Sequence, residues 1–104
     1  MTPPYVERAF ELRRGGRETP VRLRLDPPEP APGMDWWCRV RIDGLPRPVD
    51  QHAYGIDPLQ ALALGLEMAR SYLEAAPLNP GEALTWLGQA DLGLPRVLPP
   101  RGAA

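Results

Sequence analysis

The sequence has no lysine: all 12 of its basic residues are arginine. That removes Schiff-base catalysis, a phosphate-binding P-loop lysine and lysine acetylation from the chemistry open to this chain. It has one cysteine, Cys38, so an intramolecular disulfide and a cysteine-rich zinc site are both excluded and stability must come from packing. With one histidine, His52, among scattered acids, it lacks a metal-ligand pattern, and no metal or other cofactor is expected. Its 10 glycines form neither a dinucleotide-binding fingerprint nor a P-loop, and no Ser or Cys nucleophile motif is present. Long hydrophobic runs are missing too. The most apolar stretch, residues 59–68, is too short to span a bilayer, and no charged start leads into an apolar segment, so a cytoplasmic protein without membrane contact is expected. A formal net charge of −1 provides no overall attraction to nucleic acid or to an anionic membrane.

What is present is the composition of one globular domain: 104 residues, 43% hydrophobic and 24% charged. The exclusive use of arginine beside 15 prolines matches codon bias in a GC-rich genome. Read functionally, the same bias favours planar, bidentate recognition of carboxylate or phosphate, which an ammonium group cannot imitate. Both ends are proline-bearing and without apolar periodicity, so flexible tails are expected at residues 1–4 and 98–104 around a single domain at 5–97.

Residues 5–14 place Val6, Phe10 and Leu12 at even positions and Glu7, Glu11 and Arg13 at odd ones, a half-buried strand that Arg8 interrupts. Gly15-Gly16-Arg17-Glu18 is turn composition, and residues 21–26 alternate again, so the two form a β-hairpin. The proline-rich stretch 27–33 is expected to be a surface loop outside any ladder. In residues 36–42, Trp36, Cys38, Val40 and Ile42 share one side, and Trp37, Arg39 and Arg41 the other. Asp43-Gly44 then predicts a two-residue hairpin turn into a fourth strand over residues 49–54, placed at a sheet edge because Pro46 and Pro48 cannot donate to a ladder.

The spacing predicts a helix from Asp57, a good N-cap followed by Pro58 and Gln60, to residue 75 or 76. Leu59, Ala61, Leu62, Gly65, Leu66, Met68, Ala69, Tyr72 and Leu73 make its packing side, with Gly65 allowing close approach to a sheet and Met68 and Tyr72 at the core's edge. Gln60, Glu67, Arg70, Ser71 and Glu74 make a solvated side, and Leu64 lies at the margin as an exposed contact. Residues 82–87 are read as a fifth strand and 88–97 as loop, with Trp86 and residues 91–95 docking the C-terminal segment on the sheet. The expected fold is α+β: a two-layer domain in which one long helix packs on an antiparallel sheet of four to five strands, two hairpins and a C-terminal strand.

Strand parity places Trp37 with Arg13, Arg22, Arg24, Arg39 and Arg41 on the sheet face away from the helix, where an aromatic among guanidinium groups suits stacking and capture of acidic partners. The same parity puts Glu7, Glu11, Asp26 and Asp43 there, so a self-neutralised cross-strand charge lattice is the competing reading. Asp50, His52 and Tyr54 form the other constellation, because a carboxylate beside an imidazole can act as a general base and Arg39 could orient an anion. Cys38, with the parity of Val40 and Ile42, is expected to be an inert apolar thiol.

The runs Trp36-Trp37-Cys38-Arg39-Val40-Arg41-Ile42-Asp43-Gly44, Tyr54-Gly55-Ile56-Asp57-Pro58-Leu59-Gln60-Ala61-Leu62, Trp86-Leu87-Gly88 and Asp91-Leu92-Gly93-Leu94-Pro95 resemble a family of small bacterial domains of unknown function, similar in length to this chain. The resemblance covers the chain from the first strand to Pro95, specifies fold rather than chemistry and carries over no catalytic residue. The expectation is a small accessory protein of the immunity or antitoxin kind, non-catalytic, binding another protein through Trp37, Arg39, Arg41, Arg22 and Arg24. The alternative is a small enzyme or anionic-ligand-binding domain using Asp50, His52 and Tyr54. Nucleic-acid binding by the arginine face is disfavoured, and monomer and homodimer both stay open.

Overall fold

A computed structural model describes residues 5–33 and 35–96. The expected tails, and the domain's last residue Val97, lie outside the described residues. The chain runs β1 (Val6–Arg14), β2 (Arg17–Leu25), β3 (Glu29–Pro30), β4 (Trp36–Asp43), β5 (Val49–Gly55), α1 (Pro58–Glu74) and β6 (Ala83–Thr85). All pairings are antiparallel, and the sheet reads β5, β4, β2, β1, β6, with β3 alongside β4 beyond the end of β2. The fold is α+β, an open antiparallel sheet with one helix packed against it.

Two local expectations are overturned. The proline-rich stretch does enter the ladder: Glu29 and Pro30 pair with Trp37 and Trp36. Leu25 still faces Val40, so residues 26–28 stand against only Cys38 and Arg39, and this extra residue is a bulge that lets the second strand resume as β3. The turn after β4 is also longer than two residues, because Ile42 pairs with Val49 and Asp43 with Arg22 of β2. Leu45 within that connection is buried, so the chain loops out to bring it into the core before Pro46 and Pro48 release it into β5. The first hairpin turns in two residues, Gly15 and Gly16, both at positive φ, between the paired Arg14 and Arg17, so Arg17 and Glu18, read as turn composition, belong to β2.

Apolar alternation makes the helix-side face of the sheet. Phe10, Leu12, Val21, Leu23, Leu25, Cys38, Val40 and Ile42 are all within 2% of complete burial. Above them α1 begins at Asp57, whose side chain accepts a hydrogen bond from the Gln60 backbone N–H at 2.7 Å, while the Gln60 side chain accepts one from the Ile56 N–H at 2.8 Å. The buried stripe is Ala61, Gly65, Ala69 and Leu73, at a spacing of four residues. A Cβ on Gly65 would stand 3.0 Å from Cys38 Sγ and 3.1 Å from Leu25 Cδ2, so the missing side chain is what brings helix and sheet together.

That narrow stripe corrects the expected outline of the helix. Leu59 precedes the stripe and is 75% exposed, whereas Leu64 is half-buried. Glu67 and Arg70, assigned to a solvated side, are mostly covered, and Arg70 bridges Glu67 and Glu74. Arg70 also borders the returning C-terminal segment, whose Leu92 and Leu94 line a shared depression with Arg70 and Glu74.

That segment is fastened through Trp86. Trp86 and Gln89 exchange two backbone hydrogen bonds of 2.9 Å across Leu87 and Gly88, both at positive φ. Arg8, the residue that interrupts the first strand's pattern, pairs with the buried Leu23 and so points to the helix side. There its guanidinium lies 3.9 Å from the Trp86 ring centroid and donates to the carbonyls of Leu92 at 3.1 Å and Gly93 at 3.0 Å. Gly93 closes the other contact: a Cβ there would stand 2.5 Å from Trp86 Cε3. The docking expected of Trp86 and residues 91–95 is thus present.

Candidate functional site

Each arginine on the open face is placed by strand register, and most are neutralised locally. Glu7, Arg24, Arg41 and Asp50 form one row across β1, β2, β4 and β5. Arg24 and Arg41 are directly opposite, a repulsive placement that carboxylates relieve. Arg24 pairs with Glu7 at 3.1 Å and Asp43 at 3.3 Å, and Arg41 with Asp26 at 2.6 Å. Arg39 holds Asp50 with two bonds, Nε to Oδ1 at 2.9 Å and Nη2 to Oδ2 at 2.7 Å. Arg13 pairs with Glu18 at 3.2 Å. Arg22 is exposed and has no carboxylate partner among the described residues, since its opposite number Asp43 is taken by Arg24. Hydrogen bonding to Arg39 holds the Asp50 carboxyl below the usual carboxylate range, and the same bonds raise Arg39.

Beside this lattice stands a row of aromatic side chains at the outer border. Trp37 stacks on His52 with centroids 4.2 Å apart and planes at 29°, and Tyr54 lies 6.1 Å from Trp37 at 54°. Register explains the cluster: Trp37 faces Tyr54 and Arg39 faces His52, so on the face away from α1 the rings gather at one end of the β4–β5 hairpin and the charges Arg41 and Asp50 at the other. The Trp37 indole N–H donates to Glu29 Oε1 at 2.9 Å, an anchor supplied by β3, the strand that parity alone did not show. Trp37 and His52 are half-buried against each other and Tyr54 is 45% exposed.

Asp26, Glu29, Trp37, Arg39, Asp50 and His52 line a shallow depression of about 440 Å³. Three of these are carboxylates and one is an arginine, which disfavours an anionic occupant. Asp50 is engaged through both oxygens by Arg39, and His52 stacks on Trp37 without a side-chain hydrogen bond among the described residues, so the two are not assembled as a carboxylate–imidazole pair. The described residues hold no group of three or more His, Cys, Asp or Glu placed for a metal ion. Cys38 is buried, donates weakly to the Asp26 carbonyl at 3.6 Å, and has its thiol pushed up to about 11 by burial and by the nearby Asp26 charge.

On the other side of β5 lies a groove that the sequence did not disclose. It is about 660 Å³ in volume, and Leu45, Val49, Met68 and Tyr72 form its apolar walls. One signal for it was present: Gln51, a polar residue at a position whose parity faces the helix.

Comparison with known proteins returns one family. A family model described as a domain of unknown function, DUF6968, matches residues 6–96. No curated protein matches the chain, and no solved structure matches it. The matched span includes the strand, the helix start and the Trp86 and Gly93 clasp, all of which this structure uses for packing.

Proposed function

We propose that this chain, which belongs to the DUF6968 family of domains of unknown function, is a non-catalytic interaction domain that receives a protein partner on the open face of the β4–β5 hairpin. It would serve as a cytoplasmic accessory protein of the immunity or antitoxin kind in a bacterium. The observation that carries the reading is the Trp37, His52 and Tyr54 row, which sits on the face away from α1 at the outer border of the sheet. Rigid aromatics flanked by arginine are the residue types that dominate binding energy at protein interfaces. Arg39 and Arg41, already held by Asp50 and Asp26, contribute a fixed charge pattern around the rings, and Arg22 and Arg24 extend it across β2. On the open face, Arg22 has no carboxylate partner among the described residues and is available to a partner's acid. The engagement of Asp50 by Arg39 weighs against Asp50, His52 and Tyr54 as an enzymatic or anion-binding set.

The test is recovery of a partner from lysate of the source organism, its identification, and reconstitution of the complex from purified components. A Trp37→Ala/Arg39→Ala/Arg41→Ala variant with native circular dichroism should lose about 30-fold or more in affinity, the scale of an aromatic hot spot. A folded variant that binds the reconstituted partner as tightly as the native chain overturns the assignment.

A further inference from the structure

Strand β5 pairs with β4 along one edge, and its other edge has no strand partner among the described residues. On its helix side, Gln51 pairs with the buried Val40 and yet is exposed, because the helix does not extend over it. Tyr72, beside the buried stripe of α1 and one turn beyond Met68, is 41% exposed. Between β5 and α1 runs the groove of about 660 Å³, and among the described residues the only charged one in its lining is Arg47. Arg47 is exposed and has no carboxylate partner among the described residues.

We infer that this border is a receptor for an extended acidic and apolar peptide segment, which adds to β5 as a further strand, buries its apolar side chains beside Met68 and Tyr72, and sets a carboxylate against Arg47. The inference rests on the reading of the hairpin as an interaction surface and supplies the partner's chemistry. A strand added to an edge alternates its side chains between the two faces, so one set enters the groove and the other meets His52 and Tyr54 on the open side. Main-chain hydrogen bonds to the free edge would give affinity irrespective of sequence, and the groove and Arg47 would give selectivity. Charge singles out this place: the depression between α1 and the C-terminal segment mixes Arg70 and Arg96 with Glu74 and Asp91, whereas the described lining of this groove carries one sign only. The carbonyl end of α1 borders the groove at Ala75 and Ala76, so the segment's carboxylate belongs at the Arg47 rim and not at the helix end.

Selection of displayed peptides on the intact chain, followed by titration of the selected sequences as blocked synthetic peptides with amide chemical-shift mapping, tests the inference. The expected peptides alternate apolar residues around an acidic one, and their shifts concentrate in β5 and the second half of α1. Arg47→Glu should weaken them about 10-fold, the scale of one charge-assisted contact. Replacing the peptide's acid by its amide should do the same, and Tyr72→Ala should weaken binding independently. Failure to select any binding peptide overturns the inference, as does affinity unaltered by Arg47→Glu and Tyr72→Ala. A chain that dimerises through this groove in sedimentation overturns it in favour of a second copy. The two readings separate cleanly: if Arg47→Glu leaves a reconstituted partner bound while the Trp37 variant releases it, strand addition fails and the interaction reading stands. If neither variant affects that partner, both fail.

Discussion

The two borders of the sheet are built in opposite ways. On the β1 side, only Glu11, Leu12 and Arg13 are paired by β6, but the border is closed by further devices. The Glu11 carboxylate accepts from the Thr85 hydroxyl at 3.2 Å and the Gly88 N–H at 3.0 Å, Arg14 pairs with Glu82 at 3.4 Å, and Arg8 grips Trp86 and the carbonyls of Leu92 and Gly93. On the β5 side, seven residues of edge strand carry no such covering among the described residues. Proline at position 48, just before the strand, is an ordinary protection of an edge against indiscriminate pairing. The contrast teaches that an open border is not forced by the size of this chain, since a few residues of hairpin and one arginine suffice to close the opposite one.

If the β1 border is a structural clasp, damage there should cost stability and leave the β5 border's binding intact. The largest effect is expected for Trp86→Ala, which takes away the ring held between Arg8 and Gly93. The half-burial of Trp86 places the loss at about 2–3 kcal/mol, below that of a fully buried aromatic, read as a fall in the urea midpoint. Gly65→Ala, between the borders, gains about 1 kcal/mol of helix propensity and loses more to the crowding against Cys38 and Leu25, for a net loss of about 1 kcal/mol. Cys38→Ala in the same chain should recover part of it, and a double-mutant cycle by denaturant titration measures the coupling.

The effect placed last, because it is absent at neutral pH and opens only in the alkaline range, is a pH dependence of the packed layer. The Cys38 thiol is raised from 9.0 to about 11 in the folded chain, so folding favours its neutral form. The unfolded state therefore gives up its proton first, and the contribution of Cys38 is complete below pH 9 and is lost as pH rises through 9 to 11. Stability of the native chain should fall across that window more steeply than that of Cys38→Ala, and the native thiol should resist alkylation at neutral pH.

Much of the fold was legible because it depends on period and punctuation. The alternation of residues 36–42 fixed which side chains share a face, and Asp57 with Gln60 marked the helix start to the residue. What escaped depends on contacts between distant segments. Nothing local to Glu29 and Pro30 shows that a bulge at residues 26–28 returns them to the ladder, and so nothing local shows that Glu29 anchors Trp37. Arg70 reads as a solvated helix position, and nothing local to it shows that Leu92 and Leu94 return beside it. The candidate site divides in the same way. Trp37, Arg39, Asp50, His52 and Tyr54 were legible as one face of a hairpin, while the pairing of Asp50 with Arg39 and the groove at Arg47 arise only from the folded chain. Arg8 and Gln51 were the informative irregularities: each breaks its strand's alternation, one to close a border and the other beside one left open.

Amide-resolved hydrogen exchange on the free chain, at two protein concentrations, addresses the open border most directly. Alternating protection is expected along β5, with amides bonded to β4 slow and outward amides exchanging nearly freely at both concentrations, while Glu11 to Arg13 in β1 are protected on both sides. Uniform protection of every β5 amide in the free chain would show that this edge is already covered and that the border is not open.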